Sequence, residues 1–122
     1  MNTILWFIQA ILAAIFAMAG LLKIILPPEK LIKMGLKWVV RLPVYKVRFI
    51  GISELLGAIG LILPMVLNYY PIITPIAAFG FVMVMVFAAY HHYRYSENKA
   101  IVFNVALMIF AAIIVVGRLL TI

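Results

Sequence analysis

The chain reads as all-α, an integral membrane four-helix bundle with an amphipathic interfacial helix between its first and second spans. Three observations predict this. The 122 residues are 69% hydrophobic and 11% charged, with a mean hydropathy of +1.28, whereas a soluble domain is about half apolar and about a quarter charged. The apolar residues fall into four runs, each of about the 20 residues that cross a hydrocarbon core. Their connections leave no length for a soluble domain, so residues 1–122 are expected to form a single membrane domain. The third observation is Glu54, the only acid in any of the four runs. A carboxylate in hydrocarbon needs a cation, a proton or a hydrogen bond from a neighbouring helix, which calls for a packed bundle.

The first span is expected over residues 3–26 and to stop at Pro27-Pro28, where a missing amide and a fixed φ end a helix. No Lys or Arg precedes it and it outlasts the core of a signal peptide, so Ala17-Met18-Ala19 is read as part of a span, not a cleavage site. Gln9 and Lys23 stand on one face with Ala13, Phe16 and Gly20, a stripe that suits another helix better than lipid. Residues 28–42 place Lys30, Lys33, Lys37 and Arg41 at helical spacing opposite Leu31, Leu36, Trp38 and Val39. That pattern is an amphipathic helix too short to span, lying among headgroups. Gly35 and Val39-Val40 weaken it, and a basic loop is the plainer alternative.

The second span, 45–65, carries Arg48 about 9 Å from Glu54 along the axis and about 240° away around it, so each must find its partner elsewhere. Ser53, Gly57, Gly60 and Pro64 form a low-bulk stripe that suggests close packing; Pro64 is a natural stop. The third span, 72–90, has Met83 and Met85 as packing or lipid-facing residues, since no other soft ligand accompanies them. His91 continues the low-bulk line of Ala77, Gly80, Val84 and Ala88 and is expected to point inward, with His92 pointing elsewhere. The fourth span, 99–120, aligns Asn104, Met108, Ala111, Val115 and Arg118. Alternating directions then put Gln9 and Arg118 in one polar layer, and Lys23 with Asn104 in another about 21 Å away. Glu54 and His91 belong near the second.

Charge and cysteine content narrow the function. No cysteine is present, so the chain supplies no disulfide and no thiolate ligand, and no metal site is expected. The net charge of +7 sits beside apolar spans, so anionic headgroups near Lys30, Lys33, Lys37 and Arg41 are the expected counter-charge and nucleic acid is not. Counting the span edges, five basic residues (Lys30, Lys33, Lys37, Arg41 and Lys46) lie around the first connection, two (Arg94 and Lys99) around the third, and none in the Asn68 loop. The positive-inside rule therefore puts residues 27–44 and 91–98 in the cytoplasm and both termini outside, with Arg118 the one dissenting charge.

The AGLLK that ends the first span, RFIGISELLGAIGLILP in the second, His after a small residue at the end of the third and Gly117-Arg118 in the fourth together resemble the DoxX-like family of small four-helix membrane proteins. The resemblance implies a four-helix membrane fold, and a bacterial plasma membrane is the expected location. It also implies polar positions at Lys23, Arg48, Glu54, His91 and Arg118. Some relatives are associated with thiosulfate:quinone oxidoreductase or oxidative-stress complexes, and an animal relative is an assembly chaperone. This chain lacks the cysteines of some redox-associated relatives.

Two readings of the Lys23, Arg48, Glu54, His91 and Asn104 layer follow. One is a site for a lipophilic small molecule such as a quinone, whose carbonyl accepts hydrogen bonds and whose reduction needs protons that Glu54 and His91 could relay. With no cofactor motif of its own, the chain would serve as a non-catalytic subunit or partner. The other is a structural ion pair in a scaffold or assembly factor that docks on another membrane protein or on its own copies. Transport is disfavoured, because the sequence has neither an internal repeat nor a broken span.

Overall fold

The computed structural model describes residues 2–121. It contains α1 (Asn2–Ile25), α2 (Pro28–Lys33), a 3-10 turn (Lys37–Arg41), α3 (Val44–Val66), α4 (Ile73–Arg94) and α5 (Asn98–Thr121). The four long helices are each long and apolar enough to cross a membrane. They pack as a bundle in which α1 lies along α3 and α4 along α5, while α3–α4 and α1–α5 contacts close the ring more loosely. Leu12, Phe16, Leu61, Phe81, Ala111 and Ile114 form the buried centre. Phe7, Phe49, Leu56, Phe87 and Leu120 are among the large apolar side chains on the outside, as a bundle surrounded by acyl chains requires.

Two glycines set the α1–α3 crossing. A Cβ on Gly20 would lie 2.6 Å from the Gly51 carbonyl oxygen, and one on Gly51 would lie 2.7 Å from that of Gly20. Backbone therefore meets backbone, the close approach that small residues permit in a bilayer. The face of α3 that does this is Val47, Gly51, Glu54, Ala58 and Leu61. The expected Ser53–Gly57–Gly60 stripe divides: Ser53 is exposed, whereas Gly57 and Gly60 abut Phe81 and Ala77 of α4.

Prolines free backbone carbonyls, and side chains from other helices meet them. Pro64 lies inside α3, which continues to Val66 instead of stopping there. The amide that Pro64 lacks would have served the Gly60 carbonyl; Thr74 Oγ1 donates to it instead at 3.0 Å. Gln9 Nε2 donates to the next carbonyl, that of Leu61, at 2.7 Å. Likewise Pro27 offers no amide to the Lys23 carbonyl, and Arg48 Nη1 donates there at 2.6 Å and to the Leu26 carbonyl. Arg48 is thus the cap of α1, bound to the orphan carbonyls of a helix end.

The expected single helix over 28–42 is broken. Gly35, at φ +103°, ends α2 with the Leu36 amide donating to the Leu31 carbonyl and the Gly35 amide to that of Ile32. This is a Schellman closure, in which the left-handed residue is ordinarily glycine. The chain resumes as the 3-10 turn, with Leu31, Val39 and Val47 as a small second core. Lys30, Lys33 and Lys37 remain exposed.

In α4 the buried face is Thr74, Pro75, Ala78, Phe81, Met85 and His92, not the low-bulk line through Gly80 and His91. Phe81 stacks on Phe16 with ring centroids 3.9 Å apart, while a Cβ on Gly80 would meet nothing within 4 Å. Bulk filling the centre, rather than absence of bulk, orients the helix. In α5 the buried line is Asn104, Leu107, Ala111, Ile114 and Arg118, with Met108 and Val115 at its margin.

Candidate functional site

The glycine crossing makes room for the charged pair. The stem of Lys23 lies over Gly51 and that of Glu54 over Gly20, so the two long side chains meet between α1 and α3. Lys23 Nζ donates to Glu54 Oε1 at 2.5 Å, with only 10% and 8% of the two side chains exposed. The ammonium also lies 5.5 Å from the centroid of the Trp38 ring. Each charge is therefore compensated where hydration is poor, the condition under which a buried pair is tolerated.

A cleft of about 520 Å³ opens beside this pair, bounded by α1, α3, α4, α5 and the 3-10 turn. That volume lies within the usual range for small-molecule sites, about 300–1,000 Å³. Its polar end brings together Lys23, Glu54, His91, His92, Glu97 and Asn104; its apolar walls include Ile15, Phe16, Val84, Met85, Phe103 and Leu107. Asn104 Nδ2 is buried without a hydrogen-bond partner among the described residues, although an unmet buried donor is costly.

A family model for the DoxX-like family matches residues 7–114, a stretch that contains every residue bounding the cleft. The chain belongs to the DoxX-like family. Neither the curated proteins nor the solved structures compared with it gave a match.

Of the expected layer, this DoxX-like bundle brings Lys23, Glu54, His91 and Asn104 to one cleft, whereas Arg48 turns to the end of α1. His92 is the more buried of the two histidines, contrary to the expected inward turn of His91 alone. His91 Nε2 accepts from Arg41 Nε at 3.1 Å, so in this contact that nitrogen carries no proton. His92 Nδ1 and Glu97 Oε1 are 3.0 Å apart, and Arg41 Nη2 donates to the same carboxylate at 2.7 Å. The Glu97 carboxyl is held below the usual carboxylate range chiefly by the His92 hydrogen bond, with the Arg41 bond adding to it and desolvation opposing it.

Arg41 therefore faces inward, its guanidinium 3.8 Å from the Tyr95 ring centroid. Helical periodicity assigned Trp38 and Arg41 to the two faces of an interfacial helix, whereas Trp38 lies by the Lys23 ammonium and Arg41 bonds His91 and Glu97; His92 and Glu97 are the residues it did not single out. Glu97 reaches His92 because Ser96, at φ +57°, closes α4 with the Glu97 amide on the His92 carbonyl. A non-glycine residue in that conformation leaves little sequence signal; a lone acid five residues after a histidine was the only clue.

The second layer lies at the opposite end. Arg118 donates from Nε to Gln9 Oε1 and from Nη1 to Asn2 Oδ1, and its guanidinium is 5.3 Å from the centroid of the Trp6 ring. Its Nη2 is buried without a partner among the described residues. No group of three or more potential metal ligands occurs among the described residues.

Proposed function

We propose that the cleft binds a lipophilic small molecule with an uncharged, carbonyl-bearing head, a quinone being the preferred example, and that the protein serves a membrane partner as a non-catalytic subunit. The observation that carries this reading is the unpaired Asn104 amide in a cleft whose charges are already paired with one another. A neutral acceptor satisfies Asn104 without disturbing those pairs, whereas a charged head would have to compete with one of them. Electrons for quinone reduction would come from the partner; Glu54, His91 and His92 are the side chains here that could hold a proton near the head.

The test is extraction of bound quinone from purified protein, followed by titration of the stripped protein with a benzoquinone. Asn104→Leu removes the donor at similar volume and is expected to weaken binding several-fold at unchanged yield. Absence of bound quinone together with identical titrations for parent and variant would overturn the reading.

A second reading has its own observation. Lys23 and Glu54 complete each other at the glycine crossing, as expected of a pair that only fixes helix register in a scaffold or assembly factor. Under that reading Glu54→Gln collapses the yield, while a co-purifying membrane protein stays bound to whatever folds. If Glu54→Gln folds but loses the quinone, the first reading stands.

The orientation belongs with this proposal. Residues 27–44 and 91–98 are placed in the cytoplasm, both termini outside, and the membrane is taken to be a bacterial plasma membrane. Exposed Lys30, Lys33 and Lys37 then meet anionic headgroups.

A further inference from the structure

We infer that residues 35–42 form a strap across one end of the cleft, that Arg41 is its latch, and that the cleft opens at this end when Arg41 leaves His91 and Glu97. The inference concerns access, and it holds whatever the cleft binds.

The strap is a single run of backbone. Gly35, Leu36, Trp38 and Leu42 bound the cleft, while Lys37 and Val40, which lie among them in sequence, are exposed. Its form suits a moving part: a five-residue 3-10 turn, less well hydrogen-bonded than an α-helix, reached through Gly35 at φ +103°. It is fastened on two sides. Val39 packs with Leu31 and Val47, with Leu22 and Leu26 alongside, which ties the strap to α1 and α3. Toward α4 and α5, Arg41 donates from Nε to His91 and from Nη2 to Glu97, and its guanidinium lies on the Tyr95 ring. His92 holds the Glu97 carboxylate in place for that contact.

The α1–α3 pair and the α4–α5 pair have few other polar links. Among the described residues, the remaining side-chain hydrogen bonds between the pairs are Thr74 on the Gly60 carbonyl and Arg118 on Gln9 and Asn2, all toward the opposite end of the bundle. Midway stands the stack of Phe16 on Phe81. The Lys23–Glu54 pair does not bridge the two, because α1 and α3 hold both partners. Both polar links at the cleft's end are therefore made by Arg41. Two bodies pinned at one end and latched at the other make a hinge, and freeing the latch opens the cleft's end while the pinned end and the core stay packed.

The experiment uses the full chain in nanodiscs. The chain has no cysteine, so Asn104→Cys places a lone thiol on the cleft wall, at a position only 8% exposed. Its rate of alkylation by iodoacetamide, a small uncharged reagent, is measured at one fixed pH, alone and combined with Arg41→Gln, Glu97→Gln or Lys37→Gln. Glu97→Gln weakens the latch from its other side while keeping Arg41, so the test stands even if Arg41→Gln does not fold. Lys37 lies on the same turn, exposed and outside the latch. Ala78→Cys, at a fully buried core position that does not border the cleft, reports loosening of the whole bundle.

The expected result is slow alkylation of Asn104→Cys alone, many-fold faster alkylation with Arg41→Gln and several-fold faster with Glu97→Gln. Lys37→Gln should leave the rate unchanged, and Ala78→Cys should stay slow in every background. Equal rates with and without the latch substitutions overturn the inference, the cleft then being open already or opening elsewhere. An equal rise with Lys37→Gln also overturns it by showing an effect of charge alone, and a matching rise at Ala78→Cys does so by showing that the bundle as a whole unfolds. No quinone enters the measurement, so its failure leaves the reading of the cleft's ligand untouched, and the lack of a bound quinone leaves the strap untouched.

Discussion

At the scale of single residues, the chain's polar side chains divide into those that repair the backbone and those that answer each other. Thr74 belongs to the first kind. Its hydroxyl replaces the amide missing at Pro64, so Thr74→Val should cost about 1–3 kcal/mol, the penalty of an unmet buried acceptor. Pro64→Ala restores the helical donor and should rescue Thr74→Val while changing a Thr74 background much less; unfolding of the two singles and the double measures this coupling. Lys23 and Glu54 belong to the second kind. Removing either partner leaves a buried charge at a cost of about 3–5 kcal/mol, while a matched apolar pair, Lys23→Met with Glu54→Leu, should recover most of it. Glu97 is a third case. Its carboxyl is held low by His92 and Arg41, so the stability it contributes is full above the unfolded carboxylate range and is lost as pH falls through the folded value. Glu97→Gln should flatten the acid limb of a pH–stability curve; an unchanged limb would show that this carboxylate adds nothing. The Lys23–Glu54 meeting was foreseeable from the sequence, because a lone acid in hydrocarbon needs a cation, a proton or a hydrogen bond and Lys23 falls in the same layer. The Glu97 contacts were not, because they depend on the left-handed Ser96 that folds the loop back onto His92.

At the scale of elements, hydrophobic length fixes which segments are helices, and packing decides which way each one faces. The four spans and their polar stripes on α1 and α5 were legible because Gln9, Lys23, Asn104 and Arg118 are rare residues in otherwise apolar runs. The facing of α4 was not, because its small residues mark a line that is not the contact face: the Phe81 ring against Phe16 sets the rotation and leaves Gly80 in the open. The break after α2 was only hinted at by Gly35. Two glycines consequently carry opposite expectations. At Gly35 a Cβ would meet nothing, yet φ is +103°, so Gly35→Ala should cost about 1–2 kcal/mol through the backbone alone. At Gly51 the backbone is ordinary helix, and the obstacle is the Gly20 carbonyl and the stem of Lys23. Gly51→Ala should therefore part α1 from α3 and weaken the Lys23–Glu54 pair. Thermal unfolding of Gly51→Ala in the Lys23→Met, Glu54→Leu background separates the two effects: a smaller loss there than in the parent means that the pair depends on the crossing.

At the scale of the whole molecule, the two ends differ in kind. One end gathers the cleft, the 3-10 turn and most of the exposed lysines; the other has the uncharged Asn68 turn and the Arg118–Gln9 contact. A bilayer distinguishes such ends, since basic residues flanking spans are retained in the cytoplasm. Arg118 does not offset the lysines, because its guanidinium is folded into the bundle at 1% exposure and held by Gln9 and Asn2. The natural chain has no cysteine, so Lys37→Cys and Asn68→Cys each introduce a single thiol at an exposed position. A membrane-impermeant maleimide added to intact cells should label Asn68→Cys, and should reach Lys37→Cys only after the membrane is opened. The opposite pattern would turn the bundle over and place the cleft in the outer half of the bilayer. The Lys23–Glu54 geometry would survive that reversal, but under the proposed quinone reading a partner delivering electrons would then have to lie outside the cell.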